Sequence, residues 1–134
     1  MKKLFPGVAF VLGLFLLVLP QSTPAQAQDY WGAVAFNARG ATGTAWRRLS
    51  QQSAVREALA ACRRNATIPC KVLSGANAAC GVVSIGTRGN SRTAFGVIRA
   101  GLGNARNAAL AQCRNAGYGG CSIRTVMCAA GQHR

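Results

Sequence analysis

Trp31-Gly32-Ala33-Val34-Ala35-Phe36 returns, at an offset of 49, as Cys80-Gly81-Val82-Val83-Ser84-Ile85. The same offset sets Arg39-Gly40 against Arg88-Gly89 and Thr44-Ala45-Trp46 against Thr93-Ala94-Phe95. Further on the offset becomes 51. Ala58-Leu59-Ala60 then meets Ala109-Leu110-Ala111, Cys62-Arg63 meets Cys113-Arg114, and Cys70 meets Cys121. So many ordered matches mark an internal repeat, with repeat one at about 30–80, repeat two at about 80–128 and a two-residue insertion in the second.

Each repeat reads as strand, turn, strand, helix, strand. Val34 and Phe36 alternate with Ala33 and Ala35, the period of two expected of a strand, and Val83 and Ile85 take the matching places. Arg39–Gly43 and Arg88–Asn90 read as turns. The second strands carry Trp46 and Phe95, expected in the core beside Val34 and Val83. Helix one is expected after Ser53 as N-cap, with Glu57 early and Arg63 and Arg64 in the last turn, where their charges suit the helix dipole. Val55, Leu59 and Cys62 form its apolar stripe. Helix two is expected from about Asn104, with Leu110 and Cys113 inward and Gly117 as the stop. Third strands carry Val72-Leu73 and Ile123 with Val126. The predicted fold is α+β, a duplicated ββαβ unit with pseudo-twofold symmetry, stapled by disulfides.

Six cysteines, Cys62, Cys70, Cys80, Cys113, Cys121 and Cys128, allow 15 pairings. A connectivity that respects the repeat favours Cys62–Cys70 and Cys113–Cys121, each tying a helix end to the next strand. Cys80–Cys128 remains, read as a link between equivalent positions of the two copies. No C-x-x-C pair exists and His133 is the one histidine, so neither a zinc site nor a redox thiol is expected.

The 134-residue chain opens with Lys2 and Lys3, then a nearly unbroken apolar run from Leu4 to Leu19. Ala25-Gln26-Ala27 fits a small-x-small cleavage site, so residues 1–27 are expected to be a signal peptide and 28–134 one exported domain. The run is too short for a membrane span, and no transmembrane segment should remain after cleavage. The destination is periplasmic or secreted, where disulfides persist.

Sixteen Lys and Arg face only two acids, Asp29 and Glu57, a net charge of +14. Without the leader's two lysines it is +12. Paired-carboxylate hydrolysis and carboxylate-built calcium or magnesium sites are excluded by that count. A Ser-His-Asp triad would have to combine His133 from the tail with Asp29 from the other end, and one histidine cannot serve a two-histidine ribonuclease. No catalytic, cofactor-binding or metal-binding residue is expected, and the chain is read as non-enzymatic.

The strand from Trp31 to Ala35, the Ala-rich helix ending at Cys62, Cys70-Lys71-Val72, Cys80-Gly81-Val82-Val83, Ala109-Leu110-Ala111-x-Cys113, Cys121 and Cys128 together resemble a bacterial exported family, domain of unknown function 4189. The resemblance spans about residues 30–128; Phe95 departs by standing where repeat one has Trp46. It implies export and fold, and carries over no catalytic residue.

The basic residues are nearly all arginines, whose planar forks suit phosphate and carboxylate. Arg39, Arg88, Arg47 and Arg48 are the candidate anion-binding residues. Export and the scarcity of aromatics outside core-like positions argue against nucleic acid. An anionic envelope polymer or lipid surface is expected as partner: lipopolysaccharide phosphates, peptidoglycan carboxylates or anionic lipid headgroups. The alternative is a secreted effector or inhibitor acting on another, unidentified protein.

Overall fold

The computed structural model describes residues 29–131. The expected leader with its cleavage site, and His133, lie outside them. The chain runs β1 (Trp31–Phe36), β2 (Thr42–Arg48), α1 (Gln51–Arg63), β3 (Lys71–Ala76), β4 (Ala79–Arg88), β5 (Ser91–Ala100), α2 (Leu102–Asn115) and β6 (Gly119–Cys128). This is the ββαβ order read from the sequence, occurring twice. Each stretch builds an antiparallel three-stranded sheet, in the orders β2-β1-β3 and β5-β4-β6. The first strand of each unit is therefore central.

A central strand covered on both faces needs apolar groups, or polar ones hydrogen-bonded inside as Ser84 is to the Ala109 carbonyl, at every position. Gly32 to Phe36 of β1 and Cys80 to Gly86 of β4 are buried without interruption. The two faces meet different partners. Ala33, Ala35 and Ala45 pack on Ala54, Ala58 and Cys62 of α1. Val82 and Val97 pack on Ala105 and Ala109 of α2. Val34, Phe36, Val83 and Met127 join the sheets to each other. The layers run helix, sheet, sheet, helix, with small residues under each helix. At Gly43 a Cβ would lie 2.2 Å from the Ala58 carbonyl oxygen, so the close approach of α1 depends on that glycine.

Both helices start earlier than expected. Ser50, not Ser53, is the N-cap of α1: it is extended, and its hydroxyl accepts the Ser53 N–H at 3.1 Å. Glu57 consequently lies in the middle of α1, beyond the first turn, and Arg64 is the C-cap. The buried stripe is Ala54, Ala58 and Cys62, with Val55 and Leu59 flanking it half-buried. In α2 the stripe is Ala105, Ala109 and Cys113, and Leu110 is half-buried. Asn104 lies inside α2, its side-chain amide reaching back to the Ala100 carbonyl at 3.0 Å. Gly117, at φ +84, does stop α2: its N–H meets the Arg114 carbonyl and that of Tyr118 meets Cys113, a Schellman closure.

The hairpins correct the sequence alignment. Ala33 pairs with Ala45, but its counterpart Val82 pairs with Val97, not Ala94. Phe36 faces Thr42 across a short loop, whereas β4 and β5 continue past Ile85–Ala94 to Arg88–Ser91. The second hairpin is longer by three residues, shifting the offset from 49 to 52. A bulge in β2, between the pairs Ala33–Ala45 and Trp31–Arg48, returns one residue and gives 51 at the helices. Gly43, read as a turn residue, belongs to β2.

Trp46 lies on that bulge and is 41% exposed, not in the core beside Val34. Phe95 shares the face of Val97, the α2 side of its sheet, away from Val83, and meets Tyr118 edge-on at 5.3 Å. Ala94 takes the place between the sheets.

The three disulfides are Cys62–Cys70, Cys80–Cys128 and Cys113–Cys121, as the repeat favoured, and no cysteine is free. The second has a different meaning from the one expected. Cys80 and Cys128 face each other across β4 and β6, within one sheet of the second unit. In the first unit the same register position holds Trp31 and Ala76. The bridge does not join the units; the apolar layer between the sheets does. No helix among the described residues is long and apolar enough to cross a membrane.

Candidate anion-binding surface

Asn37, at the end of β1, organises the first hairpin tip. It is 3% exposed. Its side-chain oxygen accepts the N–H groups of Arg39 and Ala41 at 3.0 and 3.1 Å, and its amide donates to the Ile68 carbonyl at 3.1 Å. Arg39 then reaches from the tip to Thr67, donating to its hydroxyl at 2.8 Å. The sequence reading missed Asn37, because a polar residue after a strand looks like any turn residue until its burial is known.

Arg88 makes the corresponding reach in the second unit. It donates to the Ala116 carbonyl at 3.3 Å and lies 4.9 Å over the Tyr118 ring. Thr67 and Tyr118 are themselves at the offset of 51. Each arginine thus leans on the loop that follows its own unit's helix. The two helices pack on different sheets, and each guanidinium is held against its own unit.

Arg47 and Arg48 straddle the bulge. Arg47 has φ 53, its N–H donates to the Ala129 carbonyl at 2.9 Å, and its guanidinium lies 5.2 Å from the Tyr30 ring centroid. Arg48 forms a two-point ion pair with Glu57. Hydrogen bonds from Arg48 hold the Glu57 carboxyl below its ordinary value; slight burial opposes this and the arginine's charge adds to it. The same hydrogen bond raises Arg48. Arg48 is therefore a compensated cation, unlike the other three candidates.

Two arginines outside the candidate set come to the first hairpin tip. Arg124 of β6 donates through Nε to the Gly40 carbonyl at 3.2 Å. A terminal nitrogen of Arg92 from β5 lies 4.0 Å from where a Gly40 Cβ would stand. Cations from the second unit thus meet the tip that carries Arg39. No linear signal connects positions 84 residues apart. Arg48–Glu57 is the one ion pair among the described residues. Among the same residues, no three metal-binding side chains gather.

A family model described as a domain of unknown function, DUF4189, matches residues 31–128, and the chain belongs to that family. No curated protein and no solved structure matches it.

Proposed function

For a member of this family, we propose a small exported binding module without catalytic turnover. Its arginine surface engages anionic envelope groups: lipopolysaccharide phosphates, peptidoglycan carboxylates or lipid headgroups. The observation that carries this reading is charge without counter-charge. The sequence has sixteen basic residues against two acids, and Glu57 is already taken by Arg48. Arg39, Arg92 and Arg124 collect around one hairpin tip, where an oxyanion could replace the missing carboxylates. Three disulfides suit an oxidising compartment and support export.

We also read the two ββαβ units as copies of one ancestral unit related by an approximate twofold. Their identical strand orders and matching cysteine bridges support this.

The test is binding to anionic vesicles or lipopolysaccharide. Arg39→Gln with Arg88→Gln should weaken it roughly tenfold, and raising salt should weaken the wild type, while melting is unchanged. Equal binding by the folded double variant would clear these two residues of the role. No binding by the wild type at low salt would remove the reading itself. The second reading, an effector or inhibitor acting on another protein, is favoured by the open edge of β5.

A further inference from the structure

We propose that the groove along the free edge of β5 takes an extended, acidic peptide segment of a partner protein as an added strand. The groove lies apart from the hairpin tip, and of the tip's arginines only Arg92 belongs to this strand.

β5 is an outer strand, paired only with β4. The phase of its hydrogen bonding follows from the residue after it: the Gly101 N–H donates to the Ala78 carbonyl at 3.0 Å. Antiparallel pairs alternate between bonded and non-bonded. Odd-numbered residues of β5 therefore bond to β4, and even-numbered ones turn their N–H and C=O groups outward. Gly96 and Ile98 are two of these.

Both line a groove of about 850 Å³. Leu73 of β3 contributes from the other sheet, and Ala108, Ala111 and Gln112 contribute from α2. A bare strand edge beside a helix offers backbone pairing on one side and side-chain contact on the other, the geometry of strand addition. The alanines leave room where larger residues would fill the space. Gly96 cannot be replaced without displacing Phe36, whose ring lies 2.3 Å from where its Cβ would stand. Its bare backbone lines the groove.

Exposed edges invite unwanted pairing, and charged side chains are a common protection. Here Arg99 folds back so that its guanidinium donates to the Ile98 carbonyl at 2.8 Å. That bond caps the outward acceptor, and an incoming N–H can replace it. Once displaced, Arg99 stands at the rim as a free cation. Arg92 is exposed on the same strand. Neither described carboxylate lines the groove, so its anionic partner groups must come from the ligand. The same charges oppose a second copy. Antiparallel pairing about Gly96, outward residue against outward residue, would set Arg92 of one chain opposite Ala100 of the other, next to its Arg99.

The probe is a labelled six-residue peptide alternating glutamate and valine. Its controls are the lysine counterpart and a form with alternate backbone amides N-methylated. The acidic peptide should bind saturably at one to one, and the controls at least tenfold more weakly. Hydrogen exchange at the Gly96 and Ile98 amides should slow at least tenfold on binding. Ala111→Trp, at an exposed position of α2, should weaken peptide binding tenfold while binding to anionic vesicles stays as in the wild type. That last comparison separates failure of this site from failure of the arginine surface. Absence of binding, indifference to N-methylation, or no protection at Gly96 and Ile98 would overturn the proposal. So would a dimer, formed without peptide, that protects the same amides. If Ala111→Trp does not fold, the N-methylated peptide and the exchange measurement still decide.

Discussion

Cys80 and Cys128 stand opposite each other across β4 and β6, with their Cα atoms 4.0 Å apart. The bridge between them closes the widest loop in the molecule, 48 residues, and it does so inside one sheet. Cys62–Cys70 and Cys113–Cys121 each span only 8.

Loop-closure entropy then ranks the bridges. Replacing Cys80 and Cys128 by alanine should cost about 4 kcal/mol, and replacing Cys62 and Cys70 about 2.5 kcal/mol. Urea unfolding of the two variants measures both. Equal losses would mean that the wide 48-residue loop is already constrained in the unfolded chain.

Gly43→Ala should push α1 away from its sheet. The new methyl would meet backbone on two sides, Ala58 O and Cys62 N, and backbone cannot turn aside as a side chain can. A loss of about 3 kcal/mol is expected, toward the top of the range for overpacking. Gly89→Ala is the contrast: nothing lies within 4 Å, and only its φ of +59 opposes the substitution, at about 1 kcal/mol. Thermal melts of both variants check the ranking.

Asn37→Ala should destabilise by about 3 kcal/mol, since it strands two backbone N–H groups and the Ile68 carbonyl near the buried end of β1. The Arg39–Thr67 contact should loosen with it. Faster amide exchange at Arg39 and Ala41 would report the change directly.

The Arg48–Glu57 pair makes a pH prediction. Glu57 has its carboxyl lowered by the fold. Its contribution is therefore fully present above the ordinary value of 4.5, and is lost as pH falls through the lower folded value. Both side chains are largely exposed, so the effect is small. Glu57→Gln should lower the melting temperature slightly at neutral pH and not at all at the acid end. A constant difference across that range would refute the pairing as its cause.

The order of elements was legible in the residues because its signals are local. Alternation at Val34 and Phe36 marks a strand wherever the strand ends up, and Gly117 ends α2 through its own backbone freedom. The repeat added the cysteine partners, since equal spacing puts Cys62–Cys70 and Cys113–Cys121 in equivalent loops. The Ala54–Ala58–Cys62 stripe was legible in part: its cysteine was recognised, but alanine is apolar on every face and does not announce which one is covered.

Pairing decided the rest. Register is a property of two strands, so the longer second hairpin and the bulge in β2 show only when β1 and β4 are laid beside their partners. A shift by an odd number of residues, one at the bulge and three in the second hairpin, turns the later side chains to the other face. That is why Trp46 is at the surface and why Phe95 faces α2. The meeting of Arg124 with Gly40 is equally invisible in the chain, because it depends on one sheet lying against the other. The sequence determined the parts, the charge and the bridges, through chemistry that each residue carries with it. The tertiary structure alone decided which faces those residues share, because burial and charge proximity are set by neighbours that packing, and not chain order, supplies.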